Sequence, residues 1–374
     1  MIRIKARAPT RQGCVRRPDR RPLRRALVLP TLWGAMAMGY KLACPAAEQD
    51  GMGARIATSA VFFAIGTGLI VHVRRTFLRE LRQARRVAGA AQSVLLRPPP
   101  PRVDGLSVAA AQLSADRGAA IGGDLYAAVA TEHGVRVVMG DVRGHGLSAI
   151  GTVAAVLGSF REAAHDEPAL DQVLRRLDRA LGRHLGERAR TEHPSSGLEP
   201  DTPVAEEFVT VLLLEIARDG EVHALNCGHP WPYLISGDRI EPLTRADPLP
   251  PLGPFPLPSD LPALPCGRLR PGETLVLYTD GAEDARDARG RFFSLPTVLA
   301  QAAGGHRVTP QTVLHQVFTA LLRHTNGTPA DDVAVLVVHN DRRPRARAAR
   351  ADADDRAAAL RGGADGPAGL LRGS

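Results

Sequence analysis

Residues 137–150 read VVMGDVRGHGLSAI. An apolar run ends on Asp141, and glycines follow at positions 144 and 146. An unbroken apolar run bounded by turn residues fits a strand buried on both faces. A buried strand that ends on a carboxylate and continues in a glycine-rich loop has two explanations. A tight turn accounts for the glycines. An ion or phosphate held at the strand end accounts for both the glycines and the acid.

Outward from this stretch the pattern repeats. LSVAAAQ, LYAAVA, FVTVLLLEIA, VHALNCG, TLVLYTD and VAVLVVH are further short apolar runs, rich in branched residues, that read as strands. LSAIGTVAAVLGSFREAA and PALDQVLRRLDRALGRHL carry the 3.6-residue period of two consecutive amphipathic helices. Two more helices are expected near 294–303 and 309–325. Asp219-Gly220 between two apolar runs predicts a hairpin, hence antiparallel pairing. Strands, then a helix pair, then more strands predict an α+β sandwich of layers, not a doubly wound sheet. Residues 188–206 and the proline-rich residues 246–267 read as loops. The tail from about 341, rich in Arg, Ala, Asp and Gly, reads as disordered.

Acids stand at the edge of an apolar run in four places: Asp124 in IGGDLY, Asp141, Asp280 in VLYTDGAED, and Asp331-Asp332 in PADDVAVLVV. Each alone reads as a turn. Together they predict carboxylates that converge on one edge of the sheets. Like charges brought together raise one another's pKa. A hard divalent cation relieves that, because Mg²⁺ and Mn²⁺ take oxygen ligands and keep several waters. Two such ions about 3.5–4 Å apart clamp a phosphoryl group and activate a water for in-line attack. The four cysteines, Cys14, Cys44, Cys227 and Cys266, form no zinc-type pair and read as isolated reduced thiols.

The net charge of +9 is concentrated in the first 25 residues, in Arg74–Arg86 and after Asn340. With aromatics at 4% and no basic stripe across residues 100–340, nucleic acid is not an expected partner. Residues 1–25 read as a basic cytoplasmic terminus. Residues 26–73 read as two transmembrane helices, about 26–46 and 55–73, with arginines flanking both outer ends as the positive-inside bias requires. One span or a cleaved leader is the competing reading, since Lys41 interrupts the first run. Residues 74–97 continue as a linker helix. Phe77, Leu81, Ala84, Ala88, Ala91 and Leu95 step by four and three, a heptad seam that predicts a parallel homodimer. A single amphipathic helix lying on its own domain fits the same positions. Pro98–Pro101 stop it.

In order and spacing, AAQSVLLRP, IGGDLY, GDVRGHGLSA, FVTVLLLEI, NCGHPWPYL, PLG at 251–253, LRPGETLVLYTDGAEDARD and DDVAVLVV resemble the bacterial SpoIIE/RsbU branch of the PPM-type, metal-dependent serine/threonine phosphatases. The resemblance covers about residues 92–340. It implies a layered α-β-β-α sandwich over 98–340 with two Mn²⁺ or Mg²⁺ ions at one edge. Asp141 would bridge the ions, with the Val142 carbonyl on one of them. Asp280 and Asp331 would complete the other, with Asp332 able to replace Asp331, and Asp124 would act nearby through water. A metal-activated water would then attack phosphoserine or phosphothreonine. The implied substrate is a phosphorylated protein, such as an anti-sigma factor antagonist in a partner-switching pathway. His145 is a candidate proton donor to the leaving group, and equally a loop-packing residue. His229 in CGHP is expected to order a loop near the site. Arg117 and Arg143 are candidate phosphate contacts, or ordinary surface arginines. One departure stands out: the family usually carries an acid after the aromatic of IGGDLY, where this chain has Ala127.

These readings predict a multi-pass membrane protein with a cytoplasmic phosphatase domain. A membrane-tethered scaffold that binds phosphoproteins without catalysis is the alternative. A carboxylate-metal nuclease would need a basic groove in residues 100–340, which the sequence lacks.

Overall fold

The computed structural model describes residues 52–113, 122–144, 147–191, 206–304 and 308–342. The first expected membrane span, the loop residues Arg117 and His145, and residues 343–374 of the tail lie outside them. The chain divides into two compact units, Met1–Ala84 and Arg85–Ser374.

In the first unit the described chain is helical. It belongs to α1, Met52–Leu95, which continues into the second unit. Within α1, Ala60–Glu80 is long and apolar enough to cross a membrane, with a mean hydropathy of 1.4. Val61, Phe63 and Ile70 are more than half exposed. The residues of the heptad seam share this one helix.

The second unit is built on two antiparallel sheets. Their strands are β1 (Arg102–Val103), β2 (Leu106–Leu113), β3 (Asp124–Thr131), β4 (Gly134–Val142), β5 (Val209–Ile216), β6 (Glu221–Cys227), β7 (Tyr233–Ser236), β8 (Arg239–Pro242), β9 (Leu264–Arg268), β10 (Thr274–Tyr278) and β11 (Val333–Asn340). One sheet runs β1-β2-β11-β10-β7-β8 and the other β3-β4-β5-β6-β9. Helices α2 (Leu147–Asp166) and α3 (Leu170–Thr191) pack on the β3–β9 sheet. Helices α4 (Leu295–Ala303) and α5 (Pro310–His324) pack on the β1–β8 sheet. The result is the expected α-β-β-α order.

Strand alternation explains why both faces of each sheet are apolar. Leu275 and Leu277 of β10, with Leu336 and Val338 of β11, point into the core shared with the second sheet. The intervening Val276, Tyr278, Val335 and Val337 pack against Leu299, Val313, Val317 and Leu321 of α4 and α5. Side chains at i and i+2 share a face, so a continuous apolar run serves two cores at once. Each such fully buried side chain contributes about 1.5–3 kcal/mol.

Arg136 interrupts the apolar run of β4 and is completely buried. Its guanidinium donates to the Ala164, Glu167 and Pro168 carbonyls at the end of α2, and pairs with Glu215 at 2.7 Å. Helix C-termini leave carbonyls without partners. One arginine therefore satisfies them and fastens the helix pair to the sheet.

Two loop expectations are corrected. Helix α3 runs on through 188–191, because its apolar stripe continues to Leu185 and basic Arg188 and Arg190 in its last turn suit a helix C-terminus. The proline-rich 246–267 contains the start of β9, which pairs with β6 as a sheet edge, where proline is tolerated. The Asp219-Gly220 hairpin is present, with Gly220 at φ 94°. The chain remains tied down beyond Asn340. Arg342 donates to the Asp104 carbonyl at 3.0 Å and also bonds the Ala217 carbonyl.

Candidate metal centre

The acids come from both sheets and meet at one end of the sandwich. Asp124 opens β3 and faces Asp141 of β4 in register. In the other sheet, β10 ends at Tyr278, just before Asp280, and β11 starts at Val333, just after Asp331-Asp332. β10 and β11 are antiparallel neighbours, so the end of one lies beside the start of the other.

Glycines let these segments touch. A side chain at Gly122 would sit 2.2 Å from Asp332 Oδ2. One at Gly123 would sit 2.2 Å from the Val142 carbonyl oxygen and 2.7 Å from Asp141 Oδ1. One at Gly281 would sit 2.1 Å from the Asp332 carbonyl oxygen. Real Cβ atoms do not come that close, so the three glycines are required by the approach of the acids and not by turn conformation. Thr279 adds a pin: its hydroxyl accepts the Ala334 N–H at 2.9 Å and bonds the Asp124 carboxylate.

The electrostatics show a cluster of carboxylates without enough counter-charge. Burial first, and then Asp141 and Asp332, push Asp124 well above its ordinary value of 3.8. Asp141 is pushed up to about 8, by burial and then by Asp280, Asp331 and Asp332. Burial and Asp331 also raise Asp280. The Asp331-Asp332 pair is thereby divided. Asp331 acts chiefly on Asp280 and Asp141, whereas Asp332 is the stronger influence on Asp124. The Asp331 carboxylate also accepts the Asp332 N–H at 2.8 Å.

Asp124 is 1% exposed, yet its Oδ2 has no hydrogen-bond partner. A buried charged oxygen left unpaired is costly. Such an atom among like charges fits a site built for a cation. Among the described residues no three acidic, histidine or cysteine side chains already surround one ion position. The donors gathered here are carboxylate and carbonyl oxygens, which suit Mg²⁺ or Mn²⁺.

Arg143 follows Val142 and is half exposed. Its guanidinium lies 5.4 Å from the centre of the Phe208 ring and 3.5 Å from Glu206. An aromatic face and an acid thus hold it in the segment that follows Asp141. Ala127 is buried in the core beside Tyr126. His229 is 3% exposed and lies within the site's framework.

Several contributors lay beyond the sequence reading. Thr279, Thr210 and the pairing of Gly122 with Asp332 join segments far apart in the chain, and no local spacing announces them. Tyr233 and Glu283 are another case: the Tyr233 hydroxyl donates to Glu283 at 3.0 Å, bracing the 3₁₀ turn Asp280–Ala282.

Comparison with known proteins agrees with this architecture. A family model described as Stage II sporulation protein E (SpoIIE) matches residues 131–341. The RsbU and RsbW domains of a Mycobacterium tuberculosis protein superpose with a TM-score of 0.52 at 23% identity, covering 67% of this chain and 64% of that one. The SiaA-PP2C domain of Pseudomonas aeruginosa superposes with a TM-score of 0.51 at 16% identity, covering 71% of this chain and 98% of that one. At these identities the two likenesses show the fold.

Proposed function

The chain belongs to the SpoIIE family of PPM-type serine/threonine phosphatases, and on that premise we propose that it is a membrane-anchored, metal-dependent enzyme hydrolysing phosphoserine or phosphothreonine on a cytoplasmic protein. The observation that carries this reading is the buried, unpartnered Oδ2 of Asp124 inside a cluster of acids drawn from both sheets.

Asp141, the Val142 carbonyl, Asp280 and Asp331 would hold two ions, with Asp124 and Asp332 flanking them. Bound there, Mn²⁺ or Mg²⁺ would supply Lewis acidity and lower the pKa of water. The chain does the rest. Gly122, Gly123 and Gly281 clear the space in which the acids converge. Thr279 orients Asp124. Arg143, held over Phe208, offers a cation to the phosphoryl oxygens.

Three features support the cellular setting. Ala60–Glu80 is apolar enough to anchor the chain. The heptad seam of α1 would pair two copies. The relative with RsbU and RsbW domains in one chain supports a signalling protein as partner, such as a phosphorylated anti-sigma factor antagonist.

The test is turnover of p-nitrophenyl phosphate and of phosphoserine peptides by the full chain in detergent, with Mn²⁺ or Mg²⁺. Activity abolished by EDTA and by Asp280→Asn is expected. Metal binding with no turnover of any phosphoester would reject the enzyme and leave a tethered phosphoprotein-binding scaffold.

A further inference from the structure

His229 is the buried group that the chemistry above leaves without a task. Asp141 and Thr210 face each other in register across β4 and β5. The Asp141 N–H donates to Thr210 Oγ1 at 3.2 Å. The same hydroxyl lies 3.0 Å from His229 Nδ1 and 3.4 Å from the Asp141 carbonyl oxygen. A hydroxyl has one proton to donate. The hydroxyl therefore joins the Asp141 backbone to the ring, its proton going to Nδ1 or to the Asp141 carbonyl according to the ring's tautomer.

Nε2 is buried without a hydrogen bond of ordinary geometry, although the ring feels the Tyr278 backbone. Tyr278 ends β10, two residues before Asp280. The imidazole thus lies between the strand pair that carries Asp141 and the strand that leads to Asp280. Its own backbone is clamped from both sides. Asn226 accepts the His229 N–H and donates to the His229 carbonyl, each at 2.8 Å. Asn226 is itself 4% exposed. A loop this heavily fixed holds its side chain in one place. Burial also pushes the ring's pKa down to about 3. Burial thus favours the neutral ring.

We propose that His229 is a positioning residue: a neutral strut that, through Thr210, fixes the backbone of Asp141 relative to the strand bearing Asp280, and so sets the spacing of the carboxylates. The proposal rests on the metal-site reading but not on catalysis. Supports of metal ligands change metal affinity when removed, roughly 10- to 100-fold. Loop packing alone would change stability and leave affinity untouched.

The experiment is Mn²⁺ titration calorimetry on the full chain in detergent, with Thr210→Val, Thr210→Ser and His229→Phe beside the unsubstituted protein. Thr210→Val keeps the shape and removes the hydroxyl. Thr210→Ser keeps the hydroxyl. We expect Thr210→Val and His229→Phe to weaken Mn²⁺ binding by roughly 10-fold or more, and Thr210→Ser to bind as the unsubstituted chain does. Should His229→Phe fail to fold, Thr210→Val decides. Unchanged Mn²⁺ affinity in Thr210→Val, whatever its melting temperature in EDTA, would overturn the strut. Mn²⁺ binding without turnover in the unsubstituted chain would reject the phosphatase reading yet leave the strut testable. No Mn²⁺ binding at all would overturn both.

Discussion

Replacing Asp141 by Asn should stabilise the metal-free protein and abolish its response to metal. The Asp141 carboxyl rises from an ordinary 3.8 to about 8. A carboxyl that binds its proton more tightly in the folded state makes stability fall as pH rises between those two values. At pH 7 the unfolded carboxyl is ionised, whereas the folded one keeps its proton; holding that proton about three pH units above the ordinary pKa, at about 1.36 kcal/mol per unit, costs the folded state up to about 4 kcal/mol. Asn keeps the shape and has no proton to take up. Leaving an amide partly unpaired returns about 1–2 kcal/mol of that gain. The net is about 2–3 kcal/mol, and at about 2–4 °C per kcal/mol the melting temperature in EDTA should rise by roughly 5–10 °C.

The assay is thermal unfolding of both proteins at pH 7, in EDTA and in Mn²⁺. At one hundred times its dissociation constant, Mn²⁺ should stabilise the unsubstituted protein by about 2.7 kcal/mol. It should leave Asp141→Asn unchanged, so the order of stability narrows or reverses. In EDTA the unsubstituted protein should lose stability from about pH 4 to pH 8, and the variant should follow a flatter curve. Lower stability of Asp141→Asn in EDTA at pH 7 would refute the reasoning. So would an equal Mn²⁺ response in both proteins.

Gly123→Ala places a methyl 2.2 Å from the Val142 carbonyl oxygen, and calorimetry should show Mn²⁺ binding weakened at least about tenfold. Arg136→Met leaves the α2 carbonyls unmet and Glu215 without its partner; chemical denaturation should show a loss of about 3–5 kcal/mol. Gly182→Ala, in α3 with open space around it, should raise stability by about 0.5–1 kcal/mol with metal affinity unchanged in the same titration.

What the sequence revealed and what it hid divide along a physical line. β4, β5, β10 and β11 are buried on both faces, so their apolar runs announce them without reference to any partner. α2 and α3 show their period because each has one face in the core. β7 and β8 are four residues long and half exposed, and β9 sits among prolines. Edge strands draw their stability from one neighbour, and composition does not record which neighbour that is. The acids were legible for the same reason as the central strands: a charge that ends a buried run is conspicuous. Their supports were not. Asp332 lies against Gly122 and Thr279 against Asp124, each across more than 150 residues of sequence.

That division bears on how the site holds together. The acids repel, and in the metal-free protein their repulsion works against the contact between the two sheets at this end of the sandwich. What opposes it is a set of neutral contacts: Thr279 linking Asp124 to the Ala334 backbone, His229 linking Thr210 toward Tyr278, and Asn226 clamping His229. A charged support would weaken the field that draws a cation in, whereas a neutral hydrogen-bonding one fixes geometry and leaves the negative potential intact. The site can therefore be rigid and strongly anionic at once, which a hydrated divalent ion with few protein ligands requires.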